Sequence, residues 1–342
     1  MSKLIVFCAD GTWDKPSDKT NVRKMFDAAS SIPDVSDQVA FYDDGVGSDG
    51  TPFEKLAGGA FGEGLFQKIK DGYKKIAQVY EQGDDIFIFG FSRGAFTARS
   101  LAGMIASCGL PTAPVDDDTK LVNAVFQAYR NKEQRAGLLA SLSQYKLINP
   151  KIKMVGVWDT VGALGIPAAI GGVDPIRYGF LDTNLHPDVS NAYQALAIDE
   201  RRKQFPPTLW NPPSPPADGQ VLEQVWFSGV HCDVGGGYPE TGLSDITFGW
   251  MLGKAMNLGL QVDPKVSAQY GSLDQRNALA QIHESWSFFW WFFPKARTVA
   301  PDSALSNSVA VRCKADPSYQ PGNLILNNGA PAGSYQLVQV VV

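Results

Sequence analysis

With 342 residues, 44% of them hydrophobic and 19% charged, the chain has the apolar material for a large core, and no run approaches the roughly 18 apolar residues of a membrane span. A formal net charge of −5 and the lack of any Lys/Arg block exclude a nucleic-acid partner that relies on a basic face. The same balance gives no electrostatic pull toward an anionic membrane.

Leu4 to Cys8 read as a buried first strand rather than a leader, because charge interrupts the apolar run after a few residues. The strand opens on Asp10-Gly11-Thr12-Trp13, a turn-forming sequence at a carboxyl end, where loops of a parallel sheet build active sites. The four cysteines, Cys8, Cys108, Cys232 and Cys313, are scattered with no Cys-x-x-Cys pair, which predicts reduced thiols. A cytoplasmic protein is expected, with export by a machine that reads no cleavable signal left open.

Asn21 to Ser30 form a short helical pattern, and Val39 to Tyr42 a second strand that ends in the Gly/Asp-rich stretch from Asp43 to Gly50. Leu65, Phe66, Ile69, Tyr73, Ile76, Ala77 and Tyr80 recur at spacings of three and four, which predicts an amphipathic helix over 63–82 that stops at Gly83. Asp85 to Phe91 then give a strand that runs into Gly90-Phe91-Ser92-Arg93-Gly94 and a helix ending near Cys108. Further on come a helical pattern over 118–142 and the strand Ile152 to Trp158, closed by Asp159. Residues 162–184 and 205–219 are irregular, lid-like excursions. Gln194 to Ile198 and Val221 to Val230 read as strand-like segments, 244–260 as helix, and the tail from Ser303 as β-like and loop-rich. Strands that alternate with helical patterns predict one domain over 1–342, a doubly wound, mostly parallel sheet with helices on both faces.

Gly-x-Ser-x-Gly between a strand and a helix is the arrangement of a nucleophile elbow, in which the two glycines leave room for a sharp turn and Ser92 stands at its tip. The turn directs the Arg93 N–H at any oxygen that becomes anionic when Ser92 attacks a carbonyl, and Gly11 or Thr12 is the expected source of a second N–H. A serine hydroxyl needs a base, and three histidines are available. His186 lies in an irregular excursion and His283 precedes an aromatic run, whereas His231 ends a strand-like segment in a Gly-rich loop, where a catalytic base belongs. For the carboxylate that orients the imidazole, Asp159 directly follows a strand and yields the chain order Ser92, Asp159, His231 of α/β-hydrolases. Asp199, beside Glu200, Arg201 and Arg202, is the rival.

Other features admit weaker readings. Asp10-Gly11-Thr12 is also similar to the phosphatase signature Asp-x-Asp-Gly-Thr, but Cys8 occupies the nucleophile's slot. Asp43, Asp44, Asp49 and Asp233 read as turn-forming residues rather than a metal site, so no metal and no cofactor is expected. The run from Trp286 to Phe293 reads as core or lid packing, or else as an apolar wall for acyl chains to which Trp290 and Trp291 contribute. Arg93 could also bind a substrate phosphate.

Taken together, Asp10-Gly11-Thr12-Trp13, Asp44-Gly45-Val46-Gly47, Gly90 to Arg99, Val157 to Gly162 and Trp226 to Tyr238 resemble the ordered signature blocks of the α/β-hydrolase family called domain of unknown function 2235, which includes the catalytic domain of type VI secretion phospholipase effectors. The resemblance spans roughly residues 3–325. It implies a lipase-type triad on Ser92, Asp159 and His231, a serine hydrolase cleaving acyl esters, and a lipid or other small acyl-ester substrate met in transient contact with a membrane surface. The alternative from a different class is a catalytically idle binding or scaffold protein that keeps the fold.

Overall fold

The computed structural model describes residues 2–11, 16–32, 37–44, 60–161, 184–203, 205–215, 217–285 and 294–340. Within these, eight strands form one sheet in which every adjacent pair is parallel: β1 (Leu4–Ala9), β2 (Gln38–Asp43), β3 (Asp85–Phe91), β4 (Ile152–Trp158), β5 (Asn191–Ala197), β6 (Val221–Phe227), β7 (Ala304–Ser306) and β8 (Gln336–Val338). Their order is β8-β7-β6-β5-β4-β3-β1-β2. This is the doubly wound α/β fold that the sequence predicts.

Parallel neighbours require crossovers, and these are mostly helical. They include α1 (Asn21–Ser30), α2 (Ala60–Ala77), α3 (Ser92–Cys108), α4 (Thr119–Arg130), α5 (His231–Gly235), α6 (Gly242–Asn257) and α7 (Asn307–Ala315). Side chains alternate along each strand, so both sheet faces are apolar. Ile5, Phe7, Ile86, Ile88 and Val157 pack under α2, α3 and α4, while Val6, Cys8, Phe87, Phe89 and Trp158 pack under α1 and α6. Each fully buried Phe or Ile contributes about 1.5–3 kcal/mol relative to an exposed one. No helix among the described residues is long and apolar enough to cross a membrane.

The sheet order fixes where chemistry can occur. From β1 the chain moves outward to β2 at one edge, then returns past β1 to β3 and builds the rest of the sheet on the other side. The loops that leave the carboxyl ends of β1 and β3 therefore diverge, and the crevice at such a switch point is where open α/β sheets bind ligands. Asp10 follows β1 and Ser92 follows β3, so both stand at this crevice.

Some boundaries differ from expectation. α2 ends at Ala77, before Gly83, although Leu65, Phe66, Ile69, Tyr73, Ile76, Ala77 and Tyr80 are all buried as their spacing predicts. The helical pattern over 118–142 is two helices, α4 and a short one at 135–140, because the backbone leaves helical geometry at Asn131. The tail holds α7, capped by the Ser306 side chain accepting from Ser308 N–H, in a stretch that reads as β-like and loop-rich. The aromatic run 286–293, most of the excursion 162–184, and Thr12 lie outside the described residues.

Candidate active site

Ser92 takes φ +57°, the left-handed conformation that L-residues avoid, and opens α3 directly from β3. Two glycines make this turn feasible. A Cβ on Gly90 would stand 2.5 Å from the Gly94 carbonyl oxygen, and one on Gly94 would stand 2.2 Å from the Ala9 carbonyl oxygen and 2.4 Å from that of Asp10. Gly94 therefore lets the elbow press against the carboxyl end of β1. The strain of holding a non-glycine residue at positive φ, about 1–3 kcal/mol, is offset by the packing of β3 and α3 around it.

From this tip a continuous hydrogen-bonded relay runs inward. Ser92 Oγ is 2.8 Å from His231 Nε2, and His231 Nδ1 is 2.6 Å from Asp159 Oδ2. His231 is the first residue of the one-turn helix α5 rather than part of a loop, and its ring lies between Phe91, with centroids 4.6 Å apart, and Phe205 at 5.0 Å. Asp159 leaves the end of β4 at φ +39° and is fully buried. The three residues picked from the sequence thus meet in one place.

Asp199 does not join them. Its Oδ2 accepts the Gly229 N–H at 2.6 Å and the Tyr319 hydroxyl at 2.9 Å, which ties the carboxyl end of β5 to the loop after β6. Its neighbours form a partly buried ion pair: the fully buried Glu200 accepts from Arg202 Nε and Nη2, both at 2.9 Å, and from the backbone N–H of His231 at 3.2 Å. The Glu200–Arg202 pair holds the His231 backbone.

One component is absent from the sequence reading. Arg297 reaches Asp159 with both terminal nitrogens, Nη1 to Oδ1 at 2.6 Å and Nη2 to Oδ2 at 2.8 Å, and also donates to the Ala197 and Phe205 carbonyls. The Ala197 N–H adds a further bond to Oδ1. Burial alone would raise the Asp159 carboxyl. The Arg297 guanidinium and the His231 ring outweigh that and hold it well below the usual carboxylate range. Burial also lowers His231, and the adjacent Asp159 only partly offsets this, so the imidazole is neutral near pH 7 and ready to accept a proton.

The expected oxyanion donors fare differently. Arg93 N–H lies in the first turn of α3, where helix amides have no carbonyl one turn back within the helix. Gly11 sits at the crevice, but its N–H donates to Asp10 Oδ1 at 2.8 Å. Asp10 is itself buried and accepts from Thr20 and Tyr42, an arrangement unlike a phosphatase nucleophile with an open face. Asp43 pairs with Lys68, and Asp233 accepts from the Val230 N–H and contacts His283. No group of three or more metal-ligating side chains occurs among the described residues.

A parallel sheet, a strained serine between β3 and α3, and histidine and aspartate side chains that reach it from later strand ends define an α/β-hydrolase fold. The chain belongs to the type VI secretion phospholipase effector Tle1-like catalytic-domain family, whose model matches residues 3–254. That match ends short of the expected residue 325. An uncharacterized protein of Saccharomyces cerevisiae is 28% identical over 233 residues, covering 61% of this chain and 33% of its own length. A crystal structure of an uncharacterized Pseudomonas aeruginosa protein aligns with TM-score 0.51 at 16% identity, over 79% of this chain and 48% of that one. A structure of the Tle1 effector bound to the VgrG spike of the type 6 secretion system aligns with TM-score 0.40 at 18% identity, over 70% of this chain and 52% of that one. The chain thus spans a third to about half of the length of these relatives.

Proposed function

We propose that this protein is a serine ester hydrolase that cleaves acyl esters of phospholipids through an acyl-enzyme. The observation that carries this reading is the unbroken relay from Ser92 Oγ through His231 to Asp159, with the imidazole neutral and the carboxylate ionised. As Ser92 attacks the ester carbonyl, His231 Nε2 takes the hydroxyl proton, and the Asp159 carboxylate stabilises the imidazolium that forms. The Arg93 N–H faces the developing oxyanion. Gly11 serves as the second donor by sharing its N–H with Asp10. His231 then returns the proton to the departing alcohol, and a water activated by the same ring frees the acyl group. Family membership supports the phospholipid substrate. An idle scaffold would have no need of this strained serine or of a base held neutral beside it.

The direct test is labelling with a fluorophosphonate probe, which reacts only with an activated serine. Stoichiometric labelling of wild type and none of Ser92→Ala is expected. Wild-type protein that stays unlabelled while folded would favour the scaffold.

Arg297 yields a second expected result. Its cation keeps a proton off the Asp159–His231 pair, so Arg297→Gln is expected to move the acid limb of the kcat/KM profile to higher pH. Arg297→Lys keeps a charge and should move it less. The depressed Asp159 carboxyl also contributes stability that is present above its unfolded value near 3.9 and is lost as pH falls through the folded one. Removing the guanidinium should therefore lower the neutral-pH melting temperature as well, since it leaves a buried charge unpaired at about 3–5 kcal/mol. Superimposable pH profiles for the three proteins would show that Arg297 is only a structural tie.

A further inference from the structure

A cavity of about 270 Å³ lies beside α3, two helical turns from the elbow and toward the amino ends of the strands. Arg99, Lys132, Arg135 and His186 contribute to its wall together with Tyr129 and Trp210, and no carboxylate among the described residues lines it. Arg99 stands seven residues after Ser92 on the same helix, roughly 10 Å along its axis, so the cavity is separate from the relay.

The two guanidiniums here are not neutralised in the usual way. Arg99 donates to the Thr208 carbonyl at 2.5 Å and the Leu209 carbonyl at 3.3 Å and lies over the Trp210 ring at 4.2 Å, while Arg135 donates to the Ala128 and Tyr129 carbonyls. Neither guanidinium forms an ion pair among the described residues. These bonds use two of the five N–H donors of each, which leaves capacity in both forks. Burial lowers Arg99 to about 9, which still leaves it protonated at neutral pH. Among the described residues, Asp188 stands 3.6 Å from His186 Nδ1 but does not line the cavity.

Guanidiniums without a carboxylate partner are costly to hold in a partly enclosed space, and two such forks with a lysine match the tetrahedral oxygens of a dianion. The volume of about 270 Å³ is enough for a phosphate and a short substituent. We propose that this cavity is a second binding site, distinct from the triad, for a phosphate dianion such as inorganic phosphate or the phosphomonoester of a small headgroup.

The test is calorimetric titration of the full chain with inorganic phosphate and with glycerol 3-phosphate, at ionic strength held constant with chloride. Saturation should also raise the melting midpoint, by about 2 °C at ten times Kd. Arg135→Gln and Lys132→Gln are expected to weaken binding about tenfold or more, since each removes a charged hydrogen-bonding group. Arg99→Lys, which keeps a charge where Arg99 also ties the 208–210 segment, should fold and bind more weakly. Ser92→Ala should bind as wild type does, which keeps this result independent of the catalytic reading. Vesicles of phosphatidylcholine carrying phosphatidic acid form a second arm. Retention on them that Arg135→Gln abolishes would assign the phosphate to a lipid headgroup, and binding of soluble phosphate without retention would assign it to a free one. Failure of wild type to bind in either arm, or equal affinity in the Arg135→Gln and Lys132→Gln proteins and wild type, would overturn the proposal.

Discussion

Ser92→Ala is expected to lower hydrolysis of p-nitrophenyl esters by about 10⁴-fold or more, with His231→Ala giving a loss of the same size and the double variant little more. The reason lies in the relay: Ser92 Oγ and His231 Nε2 are 2.8 Å apart, so neither acts without the other, and their losses do not add. Removing the hydroxyl creates no new buried charge and leaves φ +57° occupied by a small side chain, so the melting temperature should stay close to wild type. Steady-state rates and thermal unfolding on the same preparations decide the matter. Ester hydrolysis by the Ser92→Ala protein at the wild-type rate would mean that another residue is the nucleophile.

Asp159→Asn is expected to cost about 10⁴-fold in kcat, and Asp199→Asn far less. The substitution at Asp159 would present an amide where three groups now donate: His231 Nδ1, Arg297 and the Ala197 N–H. If the new NH₂ turns toward His231, the ring must carry its proton on Nε2, where it cannot accept one from Ser92. If it turns toward Arg297, two donors oppose each other in a buried site. By contrast, Asp199 meets only Gly229 and Tyr319, so its loss should appear as stability, about 1–3 kcal/mol for an unsatisfied buried group, with kcat little changed. Measuring kcat and melting temperature for both variants separates the two roles, and the reverse ranking would move the acid of the triad to Asp199.

The reason spacing alone could not separate these two carboxylates is geometric. Each closes a strand, β4 or β5, and these strands are neighbours, so both reach the same edge of the sheet. Only the directions of the side chains differ. The elbow was legible because its constraint is local: a strand, two glycines and a helix within a few residues fix where Ser92 points. The buried strands were legible because they face helices on both sides and read as unbroken apolar runs.

Arg297 was not legible. It follows an aromatic run and a proline, 138 residues from Asp159, in a stretch with no regular element. The available signal was indirect: a buried aspartate needs donors, and an arginine after β6 could supply them. The character of α5 was hidden for a different reason. Five residues are too few to show helical periodicity, so His231 read as part of a Gly-rich loop. At Gly11 the sequence shows a backbone amide at the crevice but not the nearby acceptor that it meets in the Asp10 side chain.

The position of Arg297 also bears on where this protein can be cut. The family match ends at residue 254, and the three residues of the relay all lie inside it, whereas the guanidinium that balances Asp159 lies 43 residues beyond. β7, which extends the sheet beside β6, lies further out still. A fragment trimmed to the boundary of sequence similarity would keep every atom of the Ser92–His231–Asp159 relay and lose the countercharge beneath them. In this molecule the unit that holds the relay together is therefore longer than the shared motif set, and the stretch past the match supplies part of its support.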